Sequence, residues 1–115
     1  MKAVKSVFMI AVALMMTANL HAGQKPEKAK FKVYGKCDMC ETRIEKAAKS
    51  LDGVVKVRWD VLSKKINVKY YPEKVSLDDI HKKIAEVGHD TEKETATDEA
   101  YANLHHCCKY ERKKE

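Results

Sequence analysis

Beyond its first 22 residues the chain has no long apolar run. It has no aromatic-basic cluster of the kind that makes a nucleic-acid surface, and it shows no acid–base or nucleophilic constellation. Each gap excludes something. Without an aromatic-basic cluster there is no nucleic-acid surface, although the chain is basic overall at a formal +6. Without paired catalytic groups the chain does not read as an enzyme. The one apolar stretch, Val7 to Thr17, is too short to cross about 30 Å of hydrocarbon as a helix. Lys2 and Lys5 precede it, and Leu20-His21-Ala22 precede a cut at Gly23, so residues 1–22 read as a cleaved secretory signal. No cysteine follows the apolar run, which leaves out a lipoprotein, and an uncleaved anchor is the weaker alternative. The expectation is a protein exported across the inner membrane to the periplasm, without stable membrane insertion.

What remains is one small domain. The first 22 residues hold two of the 23 Lys and Arg and none of the 17 Asp and Glu, leaving a formal +4 spread among interleaved acids. A solvated surface explains most of that charge, with steering toward an acidic partner a lesser reading. A core of this size gains from a metal or a disulfide.

Residues 23–30, with Pro26, read as a polar linker, and a strand follows in which Phe31, Val33 and Gly35 alternate with polar residues. Next comes an amphipathic helix with Ile44, Ala47, Ala48 and Leu51 on one stripe, closed by Asp52-Gly53. Val55, Val57, Trp59 and Val61, then Ile66, Val68 and Tyr70, form a hairpin around Leu62 to Lys65. Ser76 with Asp79 caps a second helix whose stripe is Leu77, Ile80, Ile84 and Val87, and Gly88 ends it. Residues 90–97 hold no strong apolar side chain and predict at most a polar edge strand. Asp98 to Leu104 predicts a short helix, packed back through Tyr101 and Leu104. This order predicts an α+β, ferredoxin-like βαββαβ sandwich, with two helices on one face of a four-stranded antiparallel sheet and a C-terminal extension.

Two cysteines, Cys37 and Cys40, fall where the first strand hands over to the first helix. Thiols at that spacing can converge on one soft ion. Asp38 and Glu41 are placed to cap the helix start, while the positive helix end and Lys36 favour thiolate over thiol. Two thiolates suit Cu(I), Ag(I) or Hg(II) in linear geometry; Zn(II) needs two more ligands, which His89 and Asp38 could supply. The competing readings are a redox-active disulfide, a redox sensor, or an inert structural bridge, since disulfides persist outside the cytoplasm. A thioredoxin-type enzyme would place an aromatic before the first cysteine. Here that residue is Lys36, and a hairpin follows the helix.

The residues Gly35-Lys36-Cys37-Asp38-Met39-Cys40, Leu51-Asp52-Gly53-Val54, Val68-Lys69-Tyr70-Tyr71-Pro72 and the Leu77 to Gly88-His89-Asp90 segment carry a resemblance. From Ala29 to Glu94 the chain resembles the heavy-metal-associated domain of copper chaperones, metal-ATPase N-terminal modules and the periplasmic mercury-binding protein. Residues 31–96 are accordingly expected to form such a domain, with 97–115 as a tail. The resemblance implies metal held by Cys37 and Cys40, Cu(I) first among the candidates. Its implied partner is a metal-transporting membrane ATPase or another metal-binding protein. It also implies that Met39 faces the partner rather than the ion. Two departures stand out. Gly35 replaces the family's usual Met, and His89 stands where many bacterial members have Tyr. His89 is therefore a candidate third ligand or a tuner of the ion.

The tail adds His105-His106-Cys107-Cys108, which the family core does not need. Adjacent residues cannot all face one ion. The expectation is one His and one Cys from this run, alone or together with Cys37 and Cys40. The alternatives are a disulfide, for which four cysteines allow three pairings, or a metal-bridged dimer of an otherwise monomeric protein. Lys109 to Glu115 reads as a solvated end, and His81 as a boundary residue without function.

Overall fold

The computed structural model describes residues 25–113. The signal assigned to residues 1–22 lies outside the described residues. Strands β1 (Glu27–Lys32), β2 (Val54–Trp59) and β3 (Lys65–Tyr70) form an antiparallel sheet in the order β1-β3-β2. Helix α1 (Asp38–Lys49) joins β1 to β2. Helix α2 (Leu77–Glu86), the short helix α3 (Asp98–Ala102) and a 3-10 turn at His106–Cys108 follow β3. This is the expected α+β ferredoxin-like fold, with three corrections to its sheet.

First, β1 starts at Glu27, inside the stretch read as a linker. Lys28 and Lys30 gave that segment a polar look, yet its backbone pairs with Tyr70 through Lys65 of β3. Second, the fourth strand is reduced to an isolated bridge between Val33 and Thr91 on the free edge of β1. Residues 90–92 still run along that edge: the Tyr34 N–H donates to the Asp90 carbonyl and the Glu92 N–H to that of Lys32. They offer no apolar side chain to extend the pairing. Third, Val55 is exposed. The register slips between Val54 and Lys56, so Val55 is the extra residue of a bulge, and Val54 is buried in its place.

The core is filled from both layers. Ile44 and Ala48 of α1, Ile80 and Ile84 of α2, and Phe31, Trp59, Ile66 and Val68 of the sheet are all buried. Helix α2 starts as read, with a reciprocal capping box between Ser76 and Asp79. It ends at Gly88, whose φ of 106° and contact with the Ala100 carbonyl leave no room for a side chain. His81, read as a boundary residue, is fully buried. Its ring stacks on Phe31 at 3.8 Å and its Nδ1 meets Thr91 Oγ1 at 2.6 Å, and this polar partner makes the burial tolerable.

The tail is not a solvated end. The Tyr110 hydroxyl donates to the Gly88 carbonyl at 2.7 Å and accepts from the Asp90 N–H at 2.8 Å. Arg112 forks onto both oxygens of the buried Asp90 carboxylate and reaches Asp98. Lys113 donates to the Thr91 and Glu94 carbonyls. A segment so rich in charge reads as solvated because its partners, the Asp90 carboxylate and the backbone of residues 88–96, are not visible as a pattern. Among the described residues no helix is long and apolar enough to cross a membrane.

Candidate metal centre

The chain leaves β1 at Lys32, bridges Thr91 through Val33, and turns into α1 at Cys37. Gly35 is needed in this turn. A Cβ there would lie 2.8 Å from Trp59 Cη2 and 3.2 Å from Cys40 Cβ. The indole of Trp59 is buried and donates from Nε1 to the Val33 carbonyl at 3.0 Å. Its ring fills the space beneath the loop that a longer side chain at position 35 would otherwise take.

The helix cap differs from expectation. Cys37 itself is the N-cap, in extended backbone, with no side-chain hydrogen bond from Asp38 or Glu41 closing the end. Both acids lie within the first turn and act on the dipole there. Cys37 at the cap and Cys40 in the first turn put two sulfurs at the positive end of α1. They stand 3.7 Å apart.

The third sulfur comes from the tail. Cys108 Sγ lies 3.6 Å from Cys37 Sγ, and the sulfurs of Cys37, Cys40 and Cys108 all fall within 4.8 Å of one another. Cys40 and Cys108 are fully buried and Cys37 is half-buried. The docked segment at Tyr110 and Arg112 holds the 3-10 turn in place, so Cys108 enters the core beside α1. Cys107 also neighbours the Cys37 and Cys108 thiols, but its nearest partners are Met39 Sδ at 3.2 Å and His105 Nδ1 at 3.3 Å. The His106 ring lies tilted beside that of His105, centroids 4.4 Å apart, and is not part of the three-sulfur cluster. Of the four tail residues, one therefore converges with Cys37 and Cys40.

His89 does not belong to that cluster. Its ring is buried, stacks on Tyr110 at 5.3 Å, and its Nδ1 lies 2.8 Å from the Tyr34 carbonyl. That acceptor assigns the proton to Nδ1. Burial pushes its pKa down to about 4, with the Tyr34 bond opposing, so the imidazole is neutral at pH 7. It braces the loop against the tail.

The two α1 thiols are driven apart in acidity. Burial raises Cys37, but the Cys40 N–H, the Cys108 and Cys40 thiols and the Met39 N–H outweigh it and bring it down to about 7. Cys40 is pushed up to about 12, chiefly by burial. Beside the loop lies a groove of about 740 Å³ lined by Lys32, Lys36, Lys64, Lys109, Arg112 and Lys113, with Glu111 its one acid. The sulfurs thus sit at a helix N-terminus with a cationic border.

A ferredoxin-like domain with buried thiols gathered at the start of its first helix defines a class: proteins that hold soft metal ions through sulfur. Residues 34–90 match the family model described as the heavy-metal-associated domain, and the chain carries a domain of that family. The match ends before the tail. Among solved structures, the Cu(I)-loaded N-terminal domain of a potential copper-translocating P-type ATPase from Bacillus subtilis is 28% identical, with a TM-score of 0.56. The likeness covers 58% of this chain and 85% of that one. A chain described as CopZ metallochaperone has a TM-score of 0.55 at 24% identity, covering 56% of this chain and 98% of its own. Oxidized MerP from Ralstonia metallidurans CH34 has 0.56 at 24%, covering 58% and 94%. At 24% these last two speak for the fold alone. No curated protein matches the chain as a relative. Family and cysteine cluster together support heavy-metal binding.

Of the signals missed in the sequence, Tyr110 and Arg112 matter most, since they carry Cys108 to the site. An aromatic and an arginine within a run of lysines and glutamates were the only hint.

Proposed function

We propose that this protein is an exported carrier or scavenger of a soft monovalent ion, Cu(I) first, held by the thiolates of Cys37, Cys40 and Cys108. One observation carries the reading: three sulfurs from two distant segments meet within 4.8 Å. With metal–sulfur bonds near 2.3 Å, a linear pair needs sulfurs about 4.6 Å apart and a trigonal set about 4.0 Å. The separations of 3.6 and 3.7 Å favour the trigonal arrangement. Three thiolates around one monovalent ion carry net charge −2, which the α1 N-terminus, Lys36 and the cationic groove offset. Hg(II) and Ag(I) suit the same donors; Zn(II) would need a fourth.

Delivery would run by ligand exchange with a metal-transporting ATPase or another metal-binding protein. An incoming thiolate bonds the ion as one of the three cysteines leaves and takes a proton. The relative from Bacillus subtilis is a Cu(I)-loaded ATPase domain, which supports that kind of partner.

The test is anaerobic Cu(I) titration of the reduced protein against a chelator, with Zn(II) in parallel. An equivalent of Cu(I) bound by the parent and missing from Cys37→Ser/Cys40→Ser supports the carrier. Uptake equal to that of the double variant, together with disulfide reductase activity, would move the thiol–disulfide reading to the front.

A further inference from the structure

We infer that the protein has a second, outer soft-ion site, formed by Met39 Sδ, Cys107 Sγ and His105 Nδ1. The inference rests on the soft-ion reading of the inner cluster. It starts from the different partners of two adjacent thiols. Cys108 is fully buried beside Cys40 and the half-buried Cys37, whereas Cys107, also half-buried, meets the exposed Met39.

The Cys107 sulfur is the common neighbour of the set, 3.2 Å from the thioether and 3.3 Å from the imidazole nitrogen. A thiolate, a thioether and an imidazole without a carboxylate form a donor set for Cu(I) or Ag(I), and a poor one for hard cations. The present separations are those of S–H contacts. Three-coordinate binding, with bonds of about 2.0–2.3 Å, asks the two sulfurs to spread by about 0.8 Å and the sulfur and nitrogen by about 0.4 Å. The side chains are free to move that far, since Met39 is 47% exposed and His105 is exposed.

Position gives the set its use. Met39 lies between the two cysteines of the inner cluster in sequence, and it is one of the few large apolar side chains left exposed. An ion arriving from solvent or a partner therefore meets the outer set before the buried sulfurs. Cys107 S–H gives its proton to water and bonds the ion, with Met39 and His105 completing the shell. The Cys37 thiolate then bonds the same ion while the His105 bond breaks. The Cys40 and Cys108 thiols then give their protons to water and bond the ion as the Met39 and Cys107 bonds break, and the Cys107 thiolate recovers a proton from water. No electron moves and the ion keeps its charge.

The test is a Cu(I) titration of the purified, fully reduced protein against a chromophoric chelator, read for stoichiometry. Two equivalents are expected for the unaltered protein. Cys107→Ser should take one, with its affinity unchanged. Met39→Leu, close in volume, should weaken the second equivalent about tenfold and spare the first. Cys37→Ser/Cys40→Ser should keep a single equivalent. Two outcomes overturn the outer site and leave the carrier reading standing: one equivalent that vanishes in the Cys37→Ser/Cys40→Ser variant, or two that persist in Cys107→Ser. No uptake by any form would remove both.

Discussion

The sulfurs of Cys37 and Cys108 lie 3.6 Å apart although 71 positions separate them in the chain. The contact joins the start of the first helix to a tail that the family match does not reach. If Cys108 is a ligand, Cys108→Ser should weaken Cu(I) binding by about tenfold or more, ~1.4 kcal/mol. X-ray absorption should count two sulfurs in the variant and three in the parent. An unchanged sulfur count would remove Cys108 from the shell.

Cys37 should be the first thiol to react. With its pKa brought down to about 7 and that of Cys40 pushed up to about 12, alkylation of the metal-free protein should begin at Cys37 with a midpoint near pH 7. Cys108→Ala removes a bond to that sulfur, so the midpoint should rise. Linkage has a definite sign here. A thiol whose folded pKa is depressed stabilises the fold above its unfolded value near 9, and that stability is lost as pH falls through about 7. Mass spectrometry of alkylated peptides across pH reads the order directly; Cys40 reacting first would contradict it.

Arg112→Ala should free the tail. It leaves the buried Asp90 carboxylate with backbone N–H donors but no charged partner, a loss of about 1.5–3 kcal/mol in urea unfolding. Burial raises the Asp90 pKa, but Arg112 and the Ala96 N–H outweigh it and hold the carboxyl below its ordinary range. Its contribution is therefore present above about pH 4 and lost as pH falls through the depressed value. In the variant the folded pKa of this carboxyl rises toward or past its unfolded value, so the stability gap between parent and variant should narrow as pH falls below about 4. Superimposable acid curves would show that the ion pair does not anchor the tail.

Most of the fold was legible because it is written in periods. The stripes of α1 and α2, the Ser76–Asp79 box and the exits at Gly53 and Gly88 each depend on neighbours within a few residues. So does the pairing of Cys37 with Cys40. What escaped depends on contacts across the chain. The bulge at Val55 is set by pairing with β3, His81 is buried because Thr91 meets it, and the tail docks because Asp90 and Gly88 await it. Which tail cysteine turns inward is fixed by that docking, and no local pattern encodes it.

Gly35 can be tested against the residue the family usually carries. Gly35→Met drives a Cβ to 2.8 Å from Trp59 and should cost about 1–3 kcal/mol in thermal or urea unfolding. With Trp59→Leu the two costs should fail to add, by about 1 kcal/mol or more. Full additivity would mean that the indole does not occupy the space in question.

The ties of Tyr110 and Arg112 also bear on release. A third ligand held on a docked segment competes as an intramolecular group, at an effective concentration on the order of millimolar or above. A two-cysteine acceptor must displace that ligand as well as the α1 pair. For any ion the three sulfurs share, dissociation is then slow while the tail is seated and fast once it lifts. A partner that draws Arg112 away from Asp90 would thus open the chelate at its weakest tether, and the same chain would retain its ion in storage and surrender it on contact.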